Sequence, residues 1–345
     1  NIEDKAFDFG LQNILKGKNG SGKSTIRDAV LFALYNQTSS GSKDTDRFIM
    51  KGKDYCEVEL TTEEHQYLRK RSRTESSLMI DSQESKQKEN NLPPFEIFNS
   101  VFNVGYFMSL SEKNQRELIL QNTPRLDRFK LFKKLGGKTI WMEKIKSLEN
   151  IYEVIKEVNS QKLHKIKEKD KYLAQLEYLK VFPFEKLKVS KPTLTKFKKL
   201  INKEIDRLQI VYDSSNYVVS EFQSNYKILN RLPNEEMRIK LEDLENRLKL
   251  EFKNIEIVLK ELYKSEMGYK EVFKFEINEI EYRNLSFGEK IRFDLVISKF
   301  FDSLLPESIN CFFVDNTEIL DEEIEVPNQA FVTQIWPFPL EINQK

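Results

Sequence analysis

The stretch Gly17-Lys18-Asn19-Gly20-Ser21-Gly22-Lys23-Ser24-Thr25 constrains this chain more than any other. Its first eight residues fit the pattern G-x-x-x-x-G-K-[ST]. Before it lies a short apolar run, "LQNILKG". After it comes "STIRDAVLFALY", in which Ile26, Val30, Ala33 and Leu34 have helical spacing. A strand that enters a glycine loop and leaves as a helix turns backbone N–H groups and the positive helix end toward an anion. In such a loop Lys23 reaches the β- and γ-phosphates of a nucleotide, and the Ser24 hydroxyl ligates Mg²⁺. Gly17, Asn19, Gly20, Ser21, Gly22 and Thr25 complete the cradle.

The partner of that loop is expected near the other end of the chain. "INCFFVDN" at 309–316 is an apolar strand ending in Asp315. A carboxylate at the tip of a neighbouring strand holds Mg²⁺ in sites of this kind. Around it run a helix, "KIRFDLVISKFFDSLL", and a last strand, "QAFVTQIW", the alternation that an α/β sheet requires. Closer to the phosphate loop, "YCEVELTT" and "HQYLRKRSR" alternate like half-exposed antiparallel strands, residues 83–93 read as a loop, and the apolar stretch from "PFEIF" to "RELIL" reads as helix.

Between these ends the texture changes. From Trp141 to Phe273 glycine almost disappears and apolar residues recur every three or four positions. Leu241, Leu248, Ile255 and Leu262 are spaced by sevens, with Leu244 and Val258 at the complementary position. Ile145, Leu148, Tyr152 and Ile155 begin a similar seam. Prolines in "VFPFEKLKVSKPTLT" and in "NRLPNEE" predict helix breaks. Antiparallel helices forming a short stalk and an ordinary helical subdomain both fit this pattern. No CxxC lies near the tip, which excludes a cysteine-held zinc hook. The expected division is 1–140, an N-terminal lobe; 141–272, a helical insertion; and 273–345, a C-terminal lobe.

Composition narrows the partners. Of the 345 residues 32% are charged, yet the formal net charge is only +1, so any surface for nucleic acid must be local. Arg69, Arg71 and Arg73 share one face of a strand and could neutralise duplex phosphates; a charged sheet edge that resists aggregation explains them equally well. Cys56 and Cys311 read as buried, reduced thiols of a cytoplasmic protein. No apolar run has the length of a membrane span, and no signal peptide opens the chain. It starts on Asn1 rather than Met, so earlier residues are expected to be missing.

Leu285-Ser286-Phe287-Gly288-Glu289, in "NLSFGEK", resembles the LSGGE/Q signature of ABC-type ATPases and lies in the expected order, before the Asp315 strand. A head split by a helical insertion is similar to the SMC and SbcC-type DNA-repair ATPases, the group that also holds RecN and RecF. "ILKGKNGSGKSTIRDAVLFALYNQTS" and "GYFMSLSEKNQREL" resemble SbcC-like heads, and "LSFGEKIRFDLVIS" with "FFVDNTEIL" resembles small phage-encoded relatives. The resemblance covers about residues 10–120 and 275–335. It implies an α/β P-loop head of ABC type, built from both chain ends, with an inserted antiparallel helical or coiled-coil stalk. It also implies ATP and Mg²⁺ as ligands and a homodimer around two ATP, in which Ser286, Gly288 and Glu289 of one copy meet the γ-phosphate held by the other. DNA as substrate and a separate SbcD-like nuclease subunit follow from the resemblance alone, as does a cytoplasmic, nucleoid-associated or phage-infected-cell location.

Three departures qualify the catalytic expectation. Asn316 follows Asp315 where the family places a water-polarising Glu; an amide orients water but takes no proton. Glu318, two residues on, is either the substitute carboxylate or a solvated loop acid. Gln334 stands where the family often has a switch-loop His. Near "FNVGYF", where the family's Q-loop falls, there is Asn103 and no Gln. Leu320-Asp321 matches the family's D-loop. Lys23, Asn316, Glu318 and Gln334 are therefore the candidates for catalysis, with more support for nucleotide binding than for fast turnover.

Overall fold

The structure is a computed structural model that describes residues 5–86, 92–138, 151–262, 269–317, 329–335 and 340–344. Strand β1 (Gln12–Gly17) runs parallel to β10 (Gln329–Ile335), which runs parallel to β9 (Cys311–Val314). A final strand, β11 (Glu341–Gln344), lies antiparallel on the free side of β1, giving the order β11-β1-β10-β9. Both ends of the chain thus share one sheet, as the motif order implied. β9 is short but fully apolar, and Phe312, Phe313 and Val314 are buried, as parallel strands covered on both faces require.

The chain divides into two compact units, 1–123 with 240–345 and 124–239. In the first, helix α1 (Lys23–Tyr35) follows the phosphate loop and packs Ile26, Leu31, Leu34 and Tyr35 into a core with Leu15, Phe98, Phe102, Phe313 and Phe331. The two predicted strands appear as β2 (Tyr55–Thr61) and β3 (Gln66–Ser72); β4 (Ser76–Ile80), which was not expected, and β5 (Gln83–Glu84), inside the stretch read as a loop, extend them into an antiparallel meander. The apolar helical stretch resolves into α2 (Phe95–Phe102), α3 (Tyr106–Ser109) and α4 (Glu112–Asn122).

Arg69 corrects the expectation of a solvent-facing arginine row. It is 4% exposed and its guanidinium donates to Ala33 O (3.1 Å) and Leu34 O (3.3 Å), at the end of α1. A cation at a helix C-terminus meets carbonyls that lack intrahelical partners. Burial pulls the Arg69 pKa down to about 10. Arg71 is engaged with Asp46, its Nε donating at 2.9 Å. Of the three, Arg73 alone is exposed, in the turn after β3.

The second unit holds α5 (Arg128–Lys134), α6 (Ile151–Lys180) and most of α7 (Lys191–Glu251). The first proline-rich segment does break the helices: only a short 3-10 turn, Phe184–Lys186, separates α6 from α7. The two are antiparallel, since Lys162 sits over the Tyr226 ring and Lys180 bonds Gln209. The core of this unit is Leu131, Phe132, Ile151, Val154, Val158, Phe222, Ile228, Leu229 and Leu232. The seam on α6 is therefore Ile151, Val154 and Val158, one residue from the expected register, and Tyr152 is 58% exposed. Neighbouring pairs of apolar residues offered both registers. Ile145 and Leu148 lie outside the described residues.

Two further expectations fail. Pro233 lies inside α7 without ending it. The heptad from Leu241 stops after Leu248, because α7 ends at Glu251 and Asn254, at φ 54°, turns the chain into strand β6 (Ile255–Leu262). Leu241, Leu244 and Leu248 are buried, but Ile255 and Leu259 are buried as strand residues. β6 pairs with β7 (Tyr269–Ile277), and β7 with β8 (Ile280–Glu281). The expected insertion of 141–272 thus begins later and ends later than the compact unit does.

Helix α8 (Phe287–Ser303) packs beside this small sheet, where Phe252, Phe275 and Tyr282 surround Phe293. The next residue, Asp294, is 8% exposed; the Tyr282 hydroxyl donates to its two oxygens at 2.8 and 2.9 Å. Gly105, at φ 96°, leaves room for that carboxyl, since a Cβ there would stand 3.1 Å from Oδ2. Burial pushes the Asp294 pKa up to about 7. In that condition the native state keeps a proton that the unfolded chain releases near pH 4, so stability is lost as pH rises through about 7. We therefore expect the wild type to lose about 3 °C or more of Tm relative to Asp294→Asn between pH 5 and pH 8, read by differential scanning calorimetry. Arg69→Met should destabilise by about 2–4 kcal/mol through loss of buried charge-assisted bonds, whereas Arg73→Ala should stay within about 0.5 kcal/mol in urea unfolding.

Candidate nucleotide site

β1 ends at Gly17 and α1 begins at Lys23, so the five residues between them make the whole turn. Gly20 and Gly22 sit at φ 79° and 104°, where a side chain is strained. Gly22 is the N-cap of α1 and has no side chain to satisfy the first N–H groups, which stay available to an anion. A Cβ at Gly17 would collide with Ser21 Oγ. That hydroxyl is buried and lacks a protein partner. Lys23 is 7% exposed and folds back over the loop, donating to Gly17 O (2.7 Å) and Lys18 O (3.1 Å).

The sheet delivers the second half of the site. Ser24 Oγ donates to Asp315 Oδ2 at 3.3 Å, across 291 residues of sequence. Asp315 Oδ1 accepts from the Thr333 hydroxyl and from Asn316 N (3.1 Å). Asn316 is left-handed, at φ 58°, and its N–H also donates to Thr333 Oγ1 at 2.9 Å. Thr333 is fully buried on β10 and so fixes the Asp315 carboxylate. Gln334 pairs with Lys16 in the parallel ladder, one position before the Gly17–Ile335 pair. It therefore stands at the mouth of the phosphate loop. Glu318, Leu320 and Asp321 lie outside the described residues.

The donor set fits its expected ligands. Two hard oxygens, a hydroxyl and a carboxylate, suit Mg²⁺. The glycine cradle, with its orphaned buried hydroxyl and open helix start, suits a phosphate. Sequence reasoning missed two residues. Thr333 carries no motif signal, since only the β10–β9 pairing makes it the Asp315 anchor. Arg27 is the other: its Nη1 donates to Asn103 Oδ1 (3.1 Å) and stands 3.9 Å from Asp315 Oδ2. Asn103, found where the family's Q-loop falls, bridges to Phe313 of β9 and so does border the site.

The signature segment is placed apart. Ser286 caps α8: Glu289 N donates to its Oγ (3.3 Å), and Glu289 Oε2 accepts from Ser286 N (2.9 Å) and Oγ (2.6 Å). These bonds hold the Glu289 carboxyl below its usual range. Ser286 and Phe287 are exposed, with Gly288 beside them at the helix start. Among the described residues, no hydrogen bond or ion pair joins 285–289 to 17–25.

No family model matches the chain. A curated relative, the DNA double-strand break repair Rad50 ATPase of Thermoplasma volcanium, is 44% identical over 66 residues, 19% of this chain and 7% of that protein. The chain thus spans a small fraction of that relative's length. Among solved structures, a recombination mediator RecF bound to ATP is 13% identical at a TM-score of 0.44, covering 99% of this chain and 91% of that one. An Smc head domain with coiled coil and joint from Pyrococcus yayanosii is 15% identical at a TM-score of 0.42, covering 95% and 88%. By its motifs and by the 44%-identical stretch, the chain is similar to SMC/Rad50-type ABC ATPase heads.

Proposed function

We propose that this chain is an ATP-binding head of a dimerising DNA repair or recombination ATPase. The observation that supports it best is the meeting of Ser24 and Asp315, from opposite ends of the chain, beside a glycine cradle with an orphaned hydroxyl. In this reading the loop N–H groups and Lys23 hold the triphosphate of ATP. Lys23 exchanges the Gly17 and Lys18 carbonyls for phosphate oxygens, a stronger charge-assisted pairing. Ser24 and Asp315 hold Mg²⁺, which supplies charge neutralisation at the phosphates when bound. Asn316 and Gln334 orient water at the open end.

The exposed Ser286 and the neighbouring Gly288 then serve a second copy. Helix α8 directs its N-terminus outward, so the phosphates of a partner head can replace Glu289 on the Ser286 hydroxyl. Two heads closed around two ATP would grip DNA or signal to a nuclease subunit of the SbcD kind. The DNA surface is left to residues other than Arg69; Arg73 is the exposed member of the original three. A cytoplasmic place of action accords with such a partner, and no described helix is long and apolar enough to cross a membrane.

A second reading rests on Asn316 and Gln334, neither of which can accept a proton as a base. The chain would then bind ATP and dimerise with little turnover. Steady-state phosphate release with and without DNA separates the two readings.

Lys23→Ala should weaken ATP binding by about 10-fold or more in equilibrium titration and abolish turnover. Ser286→Arg should leave ATP binding by the monomer within about 2-fold, while light scattering detects no ATP-induced dimer and turnover falls about 100-fold. A dimer that persists in Ser286→Arg would overturn the shared-site reading.

A further inference from the structure

Arg27 lies one turn beyond Lys23 on α1, and its guanidinium reaches Asn103 after α2, Ser39 after α1 and the end of β9. Nη1 donates to Asn103 Oδ1 at 3.1 Å, and Nη2 donates to Ser39 Oγ at 3.2 Å. The guanidinium stands over the Phe313 ring of β9, its carbon 5.5 Å from the centroid. Nη1 is 3.9 Å from Asp315 Oδ2, the oxygen that also accepts from Ser24. The side chain is 18% exposed, and Nε is buried with no hydrogen bond, 4.0 Å from Asp28 Oδ1.

Ser39 extends the connection. Its carbonyl accepts from Asn99 Nδ2 (2.9 Å) and Asn103 Nδ2 (3.4 Å), and its N–H donates to Asp28 Oδ1 (3.3 Å). Ser39 is thus tied to α1 through Asp28 and Arg27, and to α2 and its end through Asn99 and Asn103. Thr38 beside it is buried and Gly41 lies close to Phe95 and Tyr106, so the Arg27 bond to Ser39 is the route by which a shift of the guanidinium reaches this segment.

A divalent cation held by Ser24 and Asp315 would sit next to this fixed positive charge. Like charges in a half-buried site repel strongly, because little water screens them. We infer that Arg27 is a positioning residue that senses the metal: it leans on Asp315 while the metal site is empty and, when a cation takes that carboxylate, is pushed off it onto the bonds it already makes to Asn103 and Ser39. The inference rests on the proposed ATP and Mg²⁺ site and adds how its filling is relayed to 38–42 and Asn103. The two carboxylates near Arg27, of Asp315 and Asp28, stand at 3.9 and 4.0 Å, whereas its neutral partners are hydrogen-bonded at 3.1 and 3.2 Å, so the side chain can lose Asp315 and stay anchored.

The test is equilibrium binding of a fluorescent ATP analogue to the full chain, with Mg²⁺ varied and with EDTA. Arg27→Gln keeps a donor but loses the charge, whereas Arg27→Lys keeps the charge. In Arg27→Gln the Mg²⁺ concentration for half-maximal binding should fall about 10-fold, with binding in EDTA within about 2-fold of wild type. Arg27→Lys should restore the wild-type Mg²⁺ dependence, which lost packing alone would not do. Hydrogen exchange at 38–42 should respond to Mg²⁺ in the wild type and not in Arg27→Gln. An unchanged or raised Mg²⁺ requirement in Arg27→Gln, with EDTA binding intact, overturns the inference while leaving the nucleotide site standing. Failure of the wild type to bind the analogue in any buffer overturns both. Should Arg27→Gln not fold, Asn103→Ala gives the same decision. Freed from one neutral partner, Arg27 should hold Asp315 more firmly and raise the Mg²⁺ requirement about 3-fold; no change overturns the inference.

Discussion

Everything at the nucleotide site depends on the parallel pairing of β1 with β10. In that register Leu15 faces Thr333 and Gly17 faces Ile335, so the phosphate loop opens at the same edge as the ends of β9 and β10. Ser24 and Asp315 meet only because this ladder forms. Neither end of the chain can make the site alone. A parallel pair needs a crossover, and here the crossover is most of the molecule.

Such a long excursion is tolerable because closing a loop costs free energy only with the logarithm of its length. The inserted helices also carry a core of their own, from Leu131 and Phe132 through Val154 and Val158 to Leu229 and Leu232. Charge on their outer faces is paired locally, as with Arg207 and Glu204 or Arg247 and Asp243, and such exposed pairs contribute little to stability. Their buried apolar faces supply most of it.

The site shares one electrostatic feature across its parts: groups suited to phosphate or metal are held by bonds within the chain. Lys23 rests on carbonyls of its own loop, Arg27 leans toward Asp315, and Ser286 is engaged by Glu289. Each of these bonds joins groups close in space and can be exchanged without breaking the fold. In the proposed cycle the incoming anion or cation competes for groups that are already oriented, which limits the ordering cost of binding.

Local pattern was enough to place the glycine loop between a strand and a helix, the apolar strand just before Asp315 and the first two strands of the meander after α1, though not its last two. Each follows a short-range rule: glycine where φ is positive, and period two in strands. Local pattern did not decide between Ile151 and Tyr152 as the buried position, because apolar residues occupy both faces there. It did not stop the heptad at Leu248, because Ile255, Val258 and Leu262 keep the spacing while the left-handed Asn254 has already turned the chain into a sheet. Arg69 looked like a surface cation until α1 was seen to end beneath it. The roles of Thr333 and Arg27 belong to tertiary structure alone: Thr333 reaches Asn316 only through the pairing of β10 with β9, and Arg27 meets Asn103 across 76 residues and Asp315 from the other end of the chain.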